Sequence, residues 1–262
     1  MEVAVLGLGE AGSLIAADLV AAGCTVRAWD PARQPDGIPN AASDLEAVRG
    51  AGVVLSLTTA AFALDAAKHV ARELGRDALY ADLNTSAPQL KRELAAILPV
   101  PFADVALIGV VPNFGLSIPA LASGAGAERF AELFRPLGMP VEVVGDQPGD
   151  AAGLKLLRSV FMKGIAAAAI EALEAARRAG VEDRVRGDIT SVIGEPLLDR
   201  LLSGSRTHAA RRVDEMNAAA AYVTELGIDP RIATAAAEWL AQLRDNRGLA
   251  PDNRGLAPPG GV

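Results

Sequence analysis

Three glycines near the start of the chain constrain its fold more than any other feature. Gly7, Gly9 and Gly12 form a G-x-G-x-x-G pattern directly after the apolar residues 3–6. Such a run predicts a buried parallel strand, and residues 13–22 predict a helix. The first glycine permits a tight strand-to-helix turn, the second lets a ligand approach the backbone, and the third lets the helix pack closely on the strand.

The same stretch predicts a dinucleotide site. A helix that begins directly after a strand presents N–H groups and the positive end of its dipole to a pyrophosphate. Residues 25–29 predict a second strand, and Asp30 at its end can accept hydrogen bonds from the adenosine ribose. This context favours a dinucleotide over a glycine-rich turn in another α/β protein. The expected cofactor contacts from this region are Gly7, Leu8, Gly9, Glu10, Ala11, Gly12, Asp30 and Arg33.

Asp30 also bears on the choice of cofactor. A carboxylate at this position repels a 2′-phosphate, which favours NAD. Arg33 follows three residues later and can neutralise that repulsion, which would admit NADP. Both cofactors therefore stay open, with NAD favoured.

The first 149 residues alternate between strand-like and helix-like segments. Strands are predicted at residues 3–6, 25–29, 53–57, 78–82, 100–105 and 141–144, and a long loop at 109–126. This alternation predicts an α/β fold, an N-terminal Rossmann domain with a doubly wound parallel sheet. Ligands of such sheets bind beyond the carboxyl ends of the strands. Thr58, Thr59, Asn84 and Gly109 are predicted to stand there.

The pattern changes at residue 150. Residues 150–179 predict one long apolar helix, and further helices follow with no convincing strand. We predict that residues 150–244 form an all-α C-terminal domain that serves dimerisation and substrate binding. Residues 245–262 repeat the sequence DNRGLAP and predict a low-complexity, disordered tail.

Three motifs, taken in order, resemble those of the β-hydroxyacid dehydrogenase superfamily, which includes 3-hydroxyisobutyrate and 6-phosphogluconate dehydrogenases. Residues 7–12 resemble its cofactor motif, residues 82–88 (DLNTSAP) its D-x-N-T-x-x-P segment beside the nicotinamide, and residues 153–155 its catalytic-lysine segment. The second domain is similar to a subgroup of 6-phosphogluconate dehydrogenase-like proteins. The resemblance implies an NAD(P)-dependent oxidoreductase that transfers a hydride between the cofactor and a small anionic hydroxy acid or its keto form.

The chain departs from the family pattern at two places. The family's substrate loop reads D-A-P-V-S-G-G, whereas residues 104–110 read DVALIGV, with Ile108 and Val110 replacing a serine and a glycine. In the family this loop hydrogen-bonds the substrate carboxylate, so the substrate stays open. The family's asparagine four residues after its lysine is Ser159 here, which is shorter but can still donate and accept.

Lys155 is the expected proton-transfer group. Hydride transfer at a carbinol carbon needs a group that takes or gives the hydroxyl proton. Lys155, Arg158, Ser159 and Lys163 fall on one face of the long helix, and a basic stripe on an apolar helix favours an anionic ligand. A lysine that snorkels along the helix surface is the alternative.

The remaining expected site residues surround this lysine. Asn84 is expected to hold the nicotinamide or a substrate hydroxyl, and Thr58 the cofactor ribose or carboxamide. The expected substrate-binding residues are Ser86, Gly109, Arg158, Ser159 and Lys163. His208, Arg211 and Arg212 predict a solvated basic face, with a second clamp for a phosphate or carboxylate as the alternative.

Composition excludes several classes of partner. The net charge of −7 and pI near 5.0 argue against nucleic acid. Cys24 is the one cysteine, so no intrachain disulfide can form, and with two distant histidines no metal site is expected. No signal peptide or membrane span is predicted, which makes a cytoplasmic protein the expectation.

Two alternatives to the hydroxy-acid dehydrogenase remain. Imine reductases share this architecture and reduce a C=N bond, but they typically lack the lysine, so Lys155 favours the hydroxy acid. A non-catalytic dinucleotide-binding protein is the other alternative, supported by the altered loop at residues 104–110. The long apolar helix also predicts a homodimer in which the helical domains pack together.

Overall fold

The computed structural model describes residues 1–34 and 37–245. The described residues divide into two compact units, the first ending at Leu157 and the second beginning at Arg158. The division falls inside a 29-residue helix, Asp150–Arg178, whereas the sequence placed a domain boundary where that helix begins. The predicted tail lies outside the described residues, apart from Asp245.

A seven-stranded sheet forms the centre of the first unit. Its strands are β1 (Glu2–Leu6), β2 (Thr25–Trp29), β3 (Val53–Ser56), β4 (Leu79–Asp82), β5 (Phe102–Leu107), β6 (Ala120–Ser123) and β7 (Val141–Gly145). They are ordered β2-β1-β3-β4-β5-β6-β7 and all neighbours are parallel except β5 and β6. The predicted Rossmann-type α/β fold is therefore confirmed, with β6 and β7 running opposite to the other five strands.

The helices of the first unit cover both faces of this sheet. They are α1 (Glu10–Ala21), α2 (Asp44–Val48), α3 (Ala60–Val70), α4 (Pro88–Ile97), α5 (Val111–Phe114), α6 (Ala127–Phe134) and the start of α7 (Asp150–Arg178), with short 3₁₀ turns at Ala71–Glu73, Gly115–Ser117 and Arg135–Leu137. Successive strand residues point to opposite faces, so Val3 and Val5 enter one core while Ala4 and Leu6 enter the other. Two buried faces explain why the strands read as continuous apolar runs.

Strand β6 lies inside the segment that the sequence predicted as a long loop. It has four residues, Ala120–Ser123, three of which are small, and the segment is too short to show a clear period. It pairs antiparallel with β5, so that Asp104 lies opposite Ser123 and Leu107 lies opposite Ala120. Local sequence could not reveal this strand because its stability comes from neighbours that are distant along the chain.

The described part of the second unit is helical, as predicted. It contains the rest of α7, α8 (Glu182–Ile193), α9 (Glu195–Thr207), α10 (Ala209–Glu225) and α11 (Arg231–Arg244). Ala169 and Leu173 of α7 pack with Leu198 of α9, and apolar side chains of α8 join them. Helices α10 and α11 pack along each other.

A buried ionic network fixes the strand ends on which the predicted site depends. Lys91 of α4 is completely buried, and its Nζ donates to the main-chain oxygen of Asp82 at 2.9 Å. The same atom lies 3.0 Å from Asp104 Oδ1 and 3.6 Å from Asp82 Oδ1. One ammonium therefore joins the carboxyl end of β4 to the middle of β5.

Asp104 extends this network to the first turn of α7. Its Oδ2 accepts hydrogen bonds from the main-chain nitrogens of Gly149 and Ala152, at 3.1 and 2.9 Å, and from Ser123 Oγ at 3.2 Å. Burial raises the pKa of Asp82, against the opposing effect of Lys91. Burial alone would lower the pKa of Lys91, but Asp104 and Asp82 outweigh it, so that pKa is raised and the lysine stays charged.

We expect Lys91→Met to lower the free energy of unfolding by about 3–5 kcal/mol, because it leaves two buried carboxylates without their counterion. Lys68→Met, at an exposed position of α3, is the control and should change it by less than about 0.5 kcal/mol. Denaturant titration measures both. Adding Asp104→Asn to Lys91→Met should restore part of the loss, and equal stability of Lys91→Met and the wild type would contradict the assigned role.

Candidate active site

The glycine-rich turn is explained by two kinds of constraint. Gly7 has φ of +96°, and a Cβ there would lie 2.5 Å from the main-chain oxygen of Leu57. A Cβ at Gly12 would lie 2.0 Å from the main-chain oxygen of Gly7. A Cβ at Gly9 would meet nothing within 4 Å. The protein's own packing therefore requires Gly7 and Gly12, whereas Gly9 borders open space that can accommodate a ligand.

Helix α1 begins at this open side. Gly9 is its N-cap residue and provides no side chain to accept from the first-turn N–H groups. Glu10 and Ala11 of that turn are exposed and partly exposed, while Leu8 is buried. Uncapped N–H groups beside an open glycine fit a pyrophosphate.

Asp30 bridges the turn and the end of β2. Its Oδ2 accepts from the main-chain nitrogen of Leu8 at 2.8 Å, and its Oδ1 accepts from that of Ala32 at 2.8 Å. Each carboxylate oxygen has a second lone pair, so Asp30 can still accept from a ribose hydroxyl. Arg33 is exposed and directly follows Ala32 in the chain.

Asn84 is held rigidly beyond the end of β4. Its Nδ2 donates to Asp82 Oδ1 at 2.8 Å and to Ser56 Oγ at 3.0 Å, and it lies 3.3 Å from Thr58 Oγ1. The amide nitrogen is thus committed to the protein, which leaves the amide oxygen as an acceptor for a ligand. The structure brings Thr58 to this cluster, while Thr59 is exposed at the N-cap of α3.

A shallow pocket brings Lys155 and the Asn84 loop together within the first unit. Lys155 is half-buried, and its Nζ donates to Thr85 Oγ1 at 2.8 Å. Ser86 is 4% exposed, and its hydroxyl has no hydrogen-bond partner among the described residues. The pocket is lined by Asn84, Thr85, Ser86, Asp104, Ala106, Ala152, Lys155 and Leu156. It therefore combines an amine, an amide and a buried hydroxyl at the strand ends.

The lining of this pocket does not include four of the other predicted substrate residues. Gly109 is exposed beyond β5, against the ring of Phe114, and does not line this pocket. Arg158, Ser159 and Lys163 belong to the second unit. Arg158 is exposed, whereas Ser159 is buried.

Sequence reasoning missed several polar residues that the structure brings close to the predicted ones. Thr85 and Asp104 line the pocket, and Glu215 accepts from Ser159 and Lys163. Glu215 follows Arg212 by three residues on a predicted helix, and this spacing was the available signal. Arg211 is exposed, as a solvated face predicts, but Arg212 is only partly exposed.

Residues 1–34 and 37–245 contain neither a metal-ligating cluster nor a membrane-spanning helix. Within these ranges, no three His, Cys, Asp or Glu side chains group in a way that could hold a metal ion. No helix there combines the length and apolarity that crossing a membrane requires. Cys24 is partly buried and packs against the core of the first unit.

Comparisons with known proteins reveal relatives over most of the chain. A family model described as a domain of unknown function (DUF1932) matches residues 176–243. A conserved hypothetical protein from Sinorhizobium meliloti 1021 is 32% identical, with a TM-score of 0.77, covering 98% of this chain and 92% of its own. The conserved protein MTH1747, whose structure is described as similar to 3-hydroxyacid dehydrogenases, is 31% identical, with a TM-score of 0.76, covering 94% and 98%.

A curated relative matches over a shorter stretch. An uncharacterised 28.5 kDa protein from Methanothermus fervidus is 29% identical over 173 residues, which is 64% of this chain and 66% of the relative. The match thus spans slightly less than two thirds of that relative's length.

More distant structures share the fold alone. A Mycobacterium tuberculosis 3-hydroxyisobutyrate dehydrogenase solved with L-serine is 21% identical, with a TM-score of 0.79, covering 94% of both chains. An imine reductase from Myxococcus stipitatus in complex with NADP+ is 19% identical, with a TM-score of 0.65, covering 95% and 96%.

The contrast among the glycines gives a test of the cofactor cradle. We expect Gly9→Ala to change the free energy of unfolding by less than about 0.5 kcal/mol, because its Cβ meets no protein atom. The same variant should weaken NADH binding by about tenfold or more, since the methyl group occupies the ligand's side of the turn. Fluorescence titration with NADH and denaturant titration measure the two effects.

Two further glycines serve as controls for this test. Gly12→Ala should lower the free energy of unfolding by about 1–3 kcal/mol through its clash with Gly7. Gly75→Ala, which also meets no atom within 4 Å, should change neither stability nor NADH binding. An unchanged NADH affinity in Gly9→Ala would exclude this turn as the cradle.

Proposed function

The chain belongs to the β-hydroxyacid dehydrogenase superfamily, and on that premise we propose that it is an NAD(P)-dependent oxidoreductase. It transfers a hydride between the nicotinamide cofactor and a small anionic hydroxy acid or its keto form. The observation that carries this proposal is the shared pocket of Lys155, Asn84 and Ser86 at the strand ends. An amine poised beside an amide and a hydroxyl suits proton transfer to or from a bound alcohol or carbonyl.

The residues of the first unit fit a dinucleotide. When bound, the nicotinamide would accept or supply the hydride. Gly9 and the uncapped start of α1 would hold the pyrophosphate, and Asp30 the adenosine ribose. The free amide oxygen of Asn84 and the hydroxyl of Ser86, which has no partner among the described residues, would orient the nicotinamide or the substrate hydroxyl.

Lys155 would act as general acid and base. Its hydrogen bond to Thr85 Oγ1 directs Nζ along the loop that lines the pocket. In oxidation the amine would take the hydroxyl proton, and in reduction the ammonium would return it. Asp104 supports this role at a distance, because it fixes the first turn of the helix that carries the lysine.

Reduction of a C=N bond is the second candidate, favoured by the fold likeness to the imine reductase. The lysine in the pocket argues for the hydroxy acid, because imine reductases typically lack it. A non-catalytic dinucleotide-binding protein is the third, favoured by Ile108 and Val110 in the altered loop. A cofactor titration combined with a turnover screen over hydroxy acids, keto acids and imines separates the three.

We expect the wild type to bind NADH more tightly than NADPH, because Asp30 repels a 2′-phosphate. Asp30→Ala should shift the ratio of the two dissociation constants toward NADPH. Arg33→Ala, which removes the nearby positive charge, should shift it toward NADH. Titration of each variant with both cofactors measures these ratios, and tighter NADPH binding by the wild type would overturn the preference for NAD.

We also expect a homodimer at micromolar concentration. Leu154, Leu157 and Phe161 stand at i, i+3 and i+7 on α7 and are 45%, 41% and 66% exposed within one chain. Phe161→Asp should dissociate the dimer, whereas Val192→Asp, at an apolar position of α8 that is 82% exposed, should not. Light scattering measures the mass, and a monomeric wild type would refute this assembly.

We expect Lys155→Ala to lower kcat by about 10²–10⁴, the usual contribution of a positioned acid or base, while NADH affinity stays nearly constant. Lys155→Arg should recover little, since a guanidinium keeps the charge but does not release its proton near neutral pH. Thr85→Val, which removes the hydrogen-bond acceptor but keeps the shape, should have a smaller effect. Steady-state kinetics on a substrate from the screen measures kcat, and near-wild-type turnover in Lys155→Ala would disprove the assignment.

A further inference from the structure

A compact polar cluster lies among α7, α9 and α10 of the second unit. Lys163 Nζ lies 3.0 Å from Glu215 Oε1 and 3.1 Å from Ser159 Oγ, and the Ser159 hydroxyl also donates to Glu215. Only 14% of the Lys163 side chain and 12% of the Glu215 side chain are exposed, and Ser159 is buried. The Lys163–Glu215 ion pair is therefore shielded from most of the solvent.

Arg212 adds a second cation from α10. Its Nη1 donates to Ser205 Oγ at 3.1 Å, and Ser205 is completely buried on α9. A Cβ at Gly204 would lie 2.6 Å from Arg212 Nη2. The glycine therefore leaves the space that the guanidinium uses to lie against α9.

The charges of this cluster do not balance. Burial lowers the pKa of Lys163 although Glu215 opposes this, and Arg212 and Arg158 lower it further. Burial also lowers the pKa of Arg212, again against Glu215. Among the described residues of this cluster, two partly buried cations thus stand against the one carboxylate of Glu215, which contacts Lys163 and acts on Arg212 electrostatically, with the exposed Arg158 as a third positive charge nearby. Burying positive charge in excess of its counterions is costly, and an anion would offset that cost.

We propose that Lys163 and Arg212 form a binding site for a small oxyanion, a carboxylate or a phosphate, with Glu215 as the internal counterion that competes with it. This oxyanion site belongs to the second unit alone and goes beyond the proposed function. Anion binding itself requires neither the cofactor nor turnover.

Glu215 determines the direction in which anion affinity should change when its charge is removed. Its carboxylate accepts hydrogen bonds from the Ser159 hydroxyl and the Lys163 ammonium. An incoming anion must share these donors or displace the carboxylate. Removing the negative charge while keeping the shape, as in Glu215→Gln, should therefore strengthen anion binding, the opposite of what loss of a ligand-binding residue would do.

The test is calorimetric titration of the full chain, without cofactor, using inorganic phosphate and separately malonate at constant ionic strength. We expect wild-type binding of at least one probe in the millimolar range or tighter. Lys163→Met and Arg212→Met should each weaken it by about tenfold or more, and Glu215→Gln should tighten it several-fold. Preference for phosphate or malonate distinguishes the two oxyanion sources.

Arg211→Met is the matched control, because Arg211 is exposed and adjacent to Arg212 in the chain. It should leave the affinity unchanged. No measurable binding to the wild type, or equal losses in Arg211→Met and Arg212→Met, would overturn the proposal. If a methionine variant does not fold, Glu215→Gln alone decides, since unchanged or weaker binding in that variant also refutes it.

The test of the oxyanion site and the test of the proposed function can fail independently of each other. NADH affinity should be the same in all four variants, because the predicted cofactor residues lie in the first unit. Oxyanion binding without turnover of any hydroxy or keto acid would sustain the site and refute the proposed function. Turnover of such an acid, together with unchanged phosphate binding in Arg212→Met, would sustain the function and refute the site.

Discussion

The carboxylate of Asp104 is the interaction on which the architecture of the candidate site depends. It stands on β5, receives Lys91 from α4 and Ser123 from β6, and accepts two main-chain N–H groups at the start of α7. A carboxylate that accepts from a helix start both caps the helix and complements its dipole. The position of Lys155, on the second turn of α7, thus follows from a buried charge that does not itself need to touch a substrate.

Features encoded in the backbone could be predicted from the sequence, because glycine patterns have few physical explanations. Gly7 and Gly12 predicted a turn and a close helix contact, and the distances at both positions agree with that geometry. The strand-helix alternation likewise predicted the sheet, apart from β6. That strand has only four residues, three of them with small side chains, and its pairing with β5 and β7 makes it a strand.

Charged residues were harder to place, because a lysine or arginine on a helix is usually assigned to the surface. Lys91 occupies the same face of α4 as Pro88 and Leu94, which are also buried, so its helical position carried a signal that its residue type obscured. Arg212 presents the same difficulty on α10, where Val213 and Met216 are buried beside it. In both cases partners from other elements decide the burial, and no spacing within one helix identifies those partners.

The two units therefore present different kinds of recognition. In the first, open space at Gly9 and main-chain N–H groups at the start of α1 are suited to a ligand that is bound mainly through the backbone. In the second, recognition would depend on side-chain charges held by one carboxylate, Glu215. A site built from main-chain N–H groups keeps its donors when a side chain is substituted. A site built from side-chain charges gains or loses a charge with a single substitution, and its ligand preference changes accordingly. We infer that the first unit binds its ligand mainly through main-chain groups, and that the charged residues of α7 and α10 in the second unit bind a small oxyanion.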